Sequence, residues 1–170
     1  MNHVLRKFID QFCIVYLDDI LIYSRTVEEH EKHIKTILNT LDKARMILNL
    51  DKCSFFVHQV KFLGHIIDQD GSRPDPGLVE KVLSWPTPRN ITDVCGFCNL
   101  VNICRKYINR MADHAAPLTD LMKGSPPKGA SIVWGERQEA AFQKLKKMTS
   151  SEPVLKHPKI GEDFVMDADC

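Results

Sequence analysis

Residues 12 to 23 run Phe-Cys-Ile-Val-Tyr-Leu-Asp-Asp-Ile-Leu-Ile-Tyr, placing two adjacent acids, Asp18 and Asp19, between two apolar runs. Burying two carboxylates without a counter-charge is costly, so the fold must expose them or compensate them. Strand-like sequence on both sides predicts a tight β-hairpin with the acids at its tip. Such a tip suits magnesium, which takes oxygen ligands and shares its shell with water and substrate phosphates. Phosphoryl transfer by two metals uses carboxylates shared between ions roughly 3.5–4 Å apart. A third carboxylate from a neighbouring strand is normally needed; none lies in an apolar strand context before the hairpin, and Asp10 is too close in sequence. The competing reading is a solvated turn, where Asp is favoured for its side-chain bonds to the backbone.

A chain of 170 residues, 44% hydrophobic, has material for one ordinary domain or two small lobes. Its net charge of +1 excludes the strongly basic balance of a stand-alone nucleic-acid binder, though not a local basic face. Between Arg105 and Lys147 nine Lys and Arg residues face four acids. Cys13, Cys53, Cys95, Cys98, Cys104 and Cys170 lack the spacing of a small secreted domain, and neither a signal peptide nor a membrane-spanning run is present. An intracellular, reduced protein is the expectation. Both ends read as cut, since the chain enters a strand pattern soon after Met1 and stops inside the apolar stretch 163 to 170.

Residues 2 to 8 read as the last turns of a helix. After the hairpin, Thr26 with Glu29 forms a capping box, and Ile34, Ile37, Leu38, Leu41 and Ala44 follow at helical spacing, predicting a helix from Val27 to Ala44. Residues 46 to 50 are a short strand candidate. Residues 52 to 57 with 60 to 67 read as a second hairpin, followed by a turn at Gln69-Asp70-Gly71. Asp75-Pro76 caps a short helix from Gly77 to Leu83 that Trp85-Pro-Thr-Pro88 stops. Asn90 or Thr92 caps a helix to about Tyr107, with Val94, Phe97, Cys98, Val101, Cys104 and Ile108 on one face. A helix from Ala112 to Lys123 ends at Gly124. Residues 132 to 134 read as an edge strand, and 136 to 148 as a helix with Ala141, Phe142, Leu145 and Met148 inward. Pro153 and Pro158 mark a linker before a strand from Phe164.

The segment Val15-Tyr-Leu-Asp-Asp-Ile-Leu-Ile-Tyr-Ser24 resembles the catalytic hairpin of reverse transcriptases, in particular those of gypsy-type long-terminal-repeat retrotransposons. The likeness continues in order through Glu28-Glu-His-Glu-Lys-His33, Leu48-Asn-Leu-Asp-Lys-Cys-Ser-Phe55, Val60-Lys-Phe-Leu-Gly-His65, Trp85-Pro-Thr-Pro88, Arg105-Lys-Tyr-Ile108, Ala116-Pro-Leu-Thr119, Trp134 with Ala140-Ala-Phe142, and Pro153-Val-Leu155. It covers essentially the whole chain. The resemblance implies an α+β fold in four parts: a partial palm (1–72), thumb and connection helices (73–130), a link (131–158), and the first strand of a ribonuclease H-like domain (159–170).

By the same resemblance, Asp18 and Asp19 correspond to two of the three palm carboxylates that hold Mg2+ (or Mn2+). Tyr16 and Leu17 lie beside the primer end and the template, and Lys52 assists departure of pyrophosphate. Phe62, Leu63, Gly64 and His65 form the primer grip, and Asp169, favoured over Asp167, is the first metal-binding acid of the ribonuclease H strand. Partners implied are an RNA/DNA template-primer duplex, deoxynucleotides and the rest of a polyprotein, without a membrane. Arg105, Lys106, Lys144, Lys146 and Lys147 are candidates for phosphate contact. For Lys52 and the basic residues the ordinary alternative is a solvated surface, and for Phe62 and Leu63 it is the core.

Departures from the family pattern are equally specific. Cys98-Asn99 stands where the family usually has Leu-Gly, and Ile103-Cys104 where it has an aromatic pair. These changes alter close packing and point to a diverged or decayed copy. Fingers and first palm strand are not in the sequence, and Met1 corresponds to an internal methionine of the pattern. Cys95, Cys98 and Cys104 with His65 and His114 are not expected to bind zinc, because the cysteines lie on a core-like helix face and no second ligand pair closes a tetrahedral site. Two functions follow as expectations: a segment of an RNA-directed DNA polymerase that is inactive alone, or a non-catalytic module binding nucleic acid or protein.

Overall fold

The computed structural model describes residues 1–124, 126–127, 129–151 and 155–156. The expected strand from Phe164, with Asp167 and Asp169, lies outside them, as do Pro153, Pro158 and Lys128. The chain divides into two compact units, Met1–Phe62 and Leu63–Cys170.

The first unit contains helix α1 (Asn2–Leu5), strands β1 (Cys13–Tyr16) and β2 (Asp19–Ile22), helix α2 (Val27–Lys43), a 3-10 turn (Leu50–Lys52) and strand β3 (Val60–Phe62). β1 and β2 pair antiparallel with Cys13 opposite Ile22 and Val15 opposite Ile20. Because side chains alternate along a strand, these four residues share the face that packs with Leu5, Ile37 and Leu41. The other face carries Ile14 opposite Leu21 and Tyr16 opposite Asp19.

Helix α2 begins as its sequence predicts: Thr26 Oγ1 accepts the Glu29 amide at 3.2 Å. The return bond differs from a standard capping box, since Glu29 Oε2 takes the amide of Arg25 rather than that of the cap residue. At its other end the Arg45 amide donates to Asp42 O (2.8 Å) and the Met46 amide to Leu41 O (3.0 Å), with Arg45 at φ 56°. This is a Schellman closure with arginine where glycine is usual. It corrects the expected strand at 46 to 50: Met46 is used to end the helix, and Asn49 then caps the 3-10 turn by accepting the Asp51 amide at 3.1 Å.

The expected hairpin of 52–57 with 60–67 is also corrected. Residues 53 to 59 form no strand, Phe56 takes φ 54°, and the run from Val60 to Ile67 is broken at Leu63 (φ 51°) and Gly64 (φ 80°). In the second unit, β4 (His65–Asp68) pairs instead with β5 (Gly71–Pro74), His65 opposite Pro74 and Asp68 opposite Gly71. The predicted turn is the reason: Asp68 Oδ1 accepts the Asp70 amide at 3.0 Å, and Arg73 reaches back across the hairpin to Asp68.

Helices α3 (Pro76–Leu83), α4 (Ile91–Ile103), α5 (Met111–Thr119) and α6 (Glu136–Ser150) complete the second unit. Asp75 caps α3 by accepting the Gly77 amide. Asn90, not Thr92, caps α4, accepting the Asp93 amide at 2.9 Å; Thr92 Oγ1 accepts the Gly129 amide. α4 and α5 each end in a 3-10 turn, Arg105–Tyr107 and Asp120–Met122, earlier than their apolar patterns predict. Val82, Val94, Phe97, Val101, Leu118, Phe142 and Leu145 form the core, with the Phe97 and Phe142 rings 4.5 Å apart. Residues 132 to 134 are not a strand. Trp134 turns its ring edge-on to Phe142 and donates its indole N–H to Glu139 at 2.8 Å, hooking the chain onto the first turns of α6.

Candidate active site and nucleic-acid surface

The hairpin tip is a two-residue turn, Leu17-Asp18, between paired Tyr16 and Asp19. Leu17 occupies the left-handed region at φ 54°, uncommon for a side chain of its size. Tyr16 and Leu17 are 55% and 74% exposed, and both Asp18 and Asp19 are exposed. Among the described residues no hydrogen bond or ion pair engages either exposed carboxylate. This donor set fits a hard, oxygen-seeking cation. Among the described residues no group of three or more His, Cys, Asp or Glu converges to hold a metal ion, so the two aspartates supply part of a coordination shell.

Elsewhere in the first unit, Lys52 sits exposed on the 3-10 turn. Around it, Ile47, Leu50, Phe55, Phe56 and Val57 are at least 41% exposed. Behind the hairpin lies a cluster the sequence did not single out. Ser24 Oγ, just past β2, is 3.0 Å from His30 Nδ1 and 2.7 Å from His33 Nδ1. The His33 ring stacks on Phe12 at 3.9 Å, and burial, then neighbouring His33, pushes the His30 pKa down. The cluster therefore ties both ends of the hairpin to the first turns of α2. The readable signal was Ser24 followed by two histidines one helical turn apart.

In the second unit, Leu63 is exposed while Gly64 and His65 are partly buried. Burial first, and Lys106 second, lower the His65 pKa. Its Nδ1 lies 3.1 Å from Tyr107 Oη, whose hydroxyl donates to Ser72 Oγ at 3.3 Å. Lys106 Nζ also donates to Ser72 Oγ. Sequence reading missed Ser72 and Tyr107, although a tyrosine on an apolar helical face needs a partner for its hydroxyl once buried.

The basic candidates separate by environment. Arg105, Lys106, Lys144 and Lys147 are exposed. Lys146 instead donates to Leu83 O and Trp85 O and lies 4.4 Å over the Phe142 ring, closing the C-terminal end of α3. Cys95 Sγ approaches Met122 Sδ at 3.1 Å, and burial, then Cys95, pushes the Cys98 thiol up to about 11. Such a thiol remains protonated at neutral pH.

Comparison with known proteins matches this arrangement. Residues 1–67 fit the family model "Reverse transcriptase (RNA-dependent DNA polymerase)". The whole chain aligns at 36% identity with the Pol polyprotein from transposon 297 of Drosophila melanogaster. It aligns at 34% with that from transposon gypsy of the same organism, and at 34% with the Tf2-3 polyprotein of Schizosaccharomyces pombe. The chain spans 16%, 17% and 12% of those polyproteins. Two foamy viral protease-reverse transcriptase structures, one with double-stranded DNA and one with an RNA/DNA hybrid, superpose with TM-score 0.77 over 91% of this chain. They cover 27% and 21% of those chains, at 24% and 22% identity, a likeness of fold. The chain belongs to the reverse-transcriptase family. Within that family it corresponds to a reverse-transcriptase segment of retrotransposon polyproteins such as those of 297, gypsy and Tf2. No described helix is long and apolar enough to cross a membrane.

Proposed function

We propose that this chain supplies the catalytic hairpin, primer grip and thumb of an RNA-directed DNA polymerase. Its parts are a partial palm (1–72), thumb and connection helices (73–130), a link (131–158) and the start of a ribonuclease H-like domain (159–170), where Asp169 is the metal-binding candidate. The observation that carries the reading is the pair Asp18 and Asp19, exposed and unpaired at the tip of a two-residue turn in a segment matching the polymerase family.

Asp18 and Asp19 are the residues that would hold Mg2+ or Mn2+. When bound, such ions lower the barrier to attack of a primer 3′-hydroxyl on the α-phosphate of a deoxynucleotide by stabilising charge on the attacking and leaving oxygens. The rest is done by protein groups. Tyr16 and Leu17 flank the primer end and the template, the segment Phe62–His65 seats the growing strand, and Lys52 donates charge towards departing pyrophosphate. Arg105, Lys106, Lys144 and Lys147 contact duplex phosphates without reading sequence. With two carboxylates and, among the described residues, no third converging on them, the reading has the chain on its own not polymerising.

The test is a Mn2+ titration of the chain followed by NMR, since the ion broadens signals close to it. Selective broadening of the Leu17, Asp18, Asp19 and Ile20 amides, lost in Asp18→Asn/Asp19→Asn, is the expected result. Broadening centred elsewhere, or unchanged by the double substitution, contradicts it.

A further inference from the structure

We propose that Tyr107 is a positioning residue for the Leu63–Gly64 turn, acting through His65 and Ser72. The turn places two consecutive residues in the left-handed region, Leu63 at φ 51° and Gly64 at φ 80°. Its position is fixed from one side by packing and from the other by hydrogen bonds. A Cβ on Gly64 would lie 2.9 Å from Ile103 Cγ2, so the glycine lets α4 approach. The Gly64 carbonyl accepts the Asp75 amide at 2.9 Å.

The next residue, His65, meets Tyr107 edge-on with ring centroids 5.5 Å apart and Nδ1 3.1 Å from the phenol oxygen. Tyr107 is only 7% exposed, so its hydroxyl depends on protein partners. Its hydroxyl donates to Ser72 Oγ. Ser72 is itself immobilised, its amide donating to Leu155 O at 2.8 Å and its carbonyl accepting the Leu155 amide at 2.9 Å.

A phenol has one proton to give. Since it goes to Ser72, the 3.1 Å contact with His65 is a bond only if His65 Nδ1 carries a hydrogen and donates to Tyr107. Tyr107 thereby selects the Nδ1–H form of neutral His65, the less populated tautomer of a free histidine side chain in water. The order of donation is His65 to Tyr107 to Ser72, with Lys106 donating to the same serine oxygen. The 3-10 turn after α4 thus sets the orientation of His65 and, through it, the adjoining turn.

That this turn seats a primer end rests on the function proposed above, and the experiment separates the two. Long-range 15N–1H spectra of the full 170-residue chain read the His65 tautomer. In the wild type Nδ1–H is expected. Tyr107→Phe, which keeps the ring, removes the acceptor, and Ser72→Ala releases the phenol proton to His65. Both are expected to convert His65 to Nε2–H and to move the Leu63 and Gly64 amide signals, while Leu145 methyl signals stay in place. Nε2–H in the wild type, or unmoved Leu63 and Gly64 signals in Tyr107→Phe, overturns the proposal.

A second arm measures affinity for a recessed primer–template duplex and a blunt duplex. If the turn seats the primer end, Tyr107→Phe weakens the recessed duplex selectively, by about tenfold for a hydrogen-bond network of this size. Equal affinities with the tautomer change intact overturn the primer-end reading and leave Tyr107's positioning role supported.

Discussion

Lys146 and Lys147 are neighbours in sequence with opposite roles. Lys146 gives its ammonium to two backbone carbonyls and the Phe142 face, whereas Lys144 and Lys147 are exposed. Lys146→Ala is expected to lower stability by about 1–2 kcal/mol in urea unfolding, the scale of a charged hydrogen bond. Lys144→Ala and Lys147→Ala should stay within about 0.5 kcal/mol. Where the latter pair contacts phosphates, each loss should flatten the salt dependence of duplex binding by about one unit of slope. Gly71 makes a sharper residue-scale demand. It adopts φ 149°, and a Cβ there would lie 2.2 Å from Leu155 O. Gly71→Ala is therefore expected to cost roughly 2–3 kcal/mol by thermal or urea melting.

At the scale of elements, α2 carries a removable cost at its end. Arg45 holds the left-handed position of the Schellman closure at φ 56°, where glycine is free of the Cβ penalty. Arg45→Gly should raise stability by roughly 0.5–1 kcal/mol, measured as a higher urea midpoint at unchanged slope. The α2 start was legible in the sequence because its cap is built from local side chains, and the apolar spacing ran to Ala44, the residue that caps its end; the Schellman closure beyond it was not, because no glycine announced it. The same contrast explains the misread second hairpin. The apolar run Phe55-Phe56-Val57 resembled a strand, but Phe56 at φ 54° and the turn at Leu63–Gly64 are set by backbone conformation rather than periodicity.

Two histidines add a pH dependence at this scale. His30, in the clasp behind the hairpin, and His65, on β4, both have pKa values below the ordinary 6.5. The unfolded chain therefore binds protons more readily than the folded one at these sites. Their contribution is fully present above the unfolded value and is lost as pH falls through the folded values. Melting temperature should drop on acidification below about pH 6.5, and His30→Gln with His65→Gln should flatten that profile.

In the molecule as a whole, the hairpin carrying Asp18 and Asp19, its supporting helix and the helical second unit were all readable, because ordered family motifs run from Tyr16 to Leu155. The exposed position of the carboxylate pair was legible for a separate reason: burying two acids between apolar strands without a counter-charge is costly. The Ser24–His30–His33 clasp and the His65–Tyr107–Ser72 relay were not, since they join residues whose contacts depend on how elements pack. If Asp18 and Asp19 are polymerase carboxylates that do not suffice alone, primer extension by this chain with Mg2+, a recessed primer–template and deoxynucleotides yields no incorporation above that of Asp18→Asn. Incorporation by the wild type that Asp18→Asn abolishes overturns that reading.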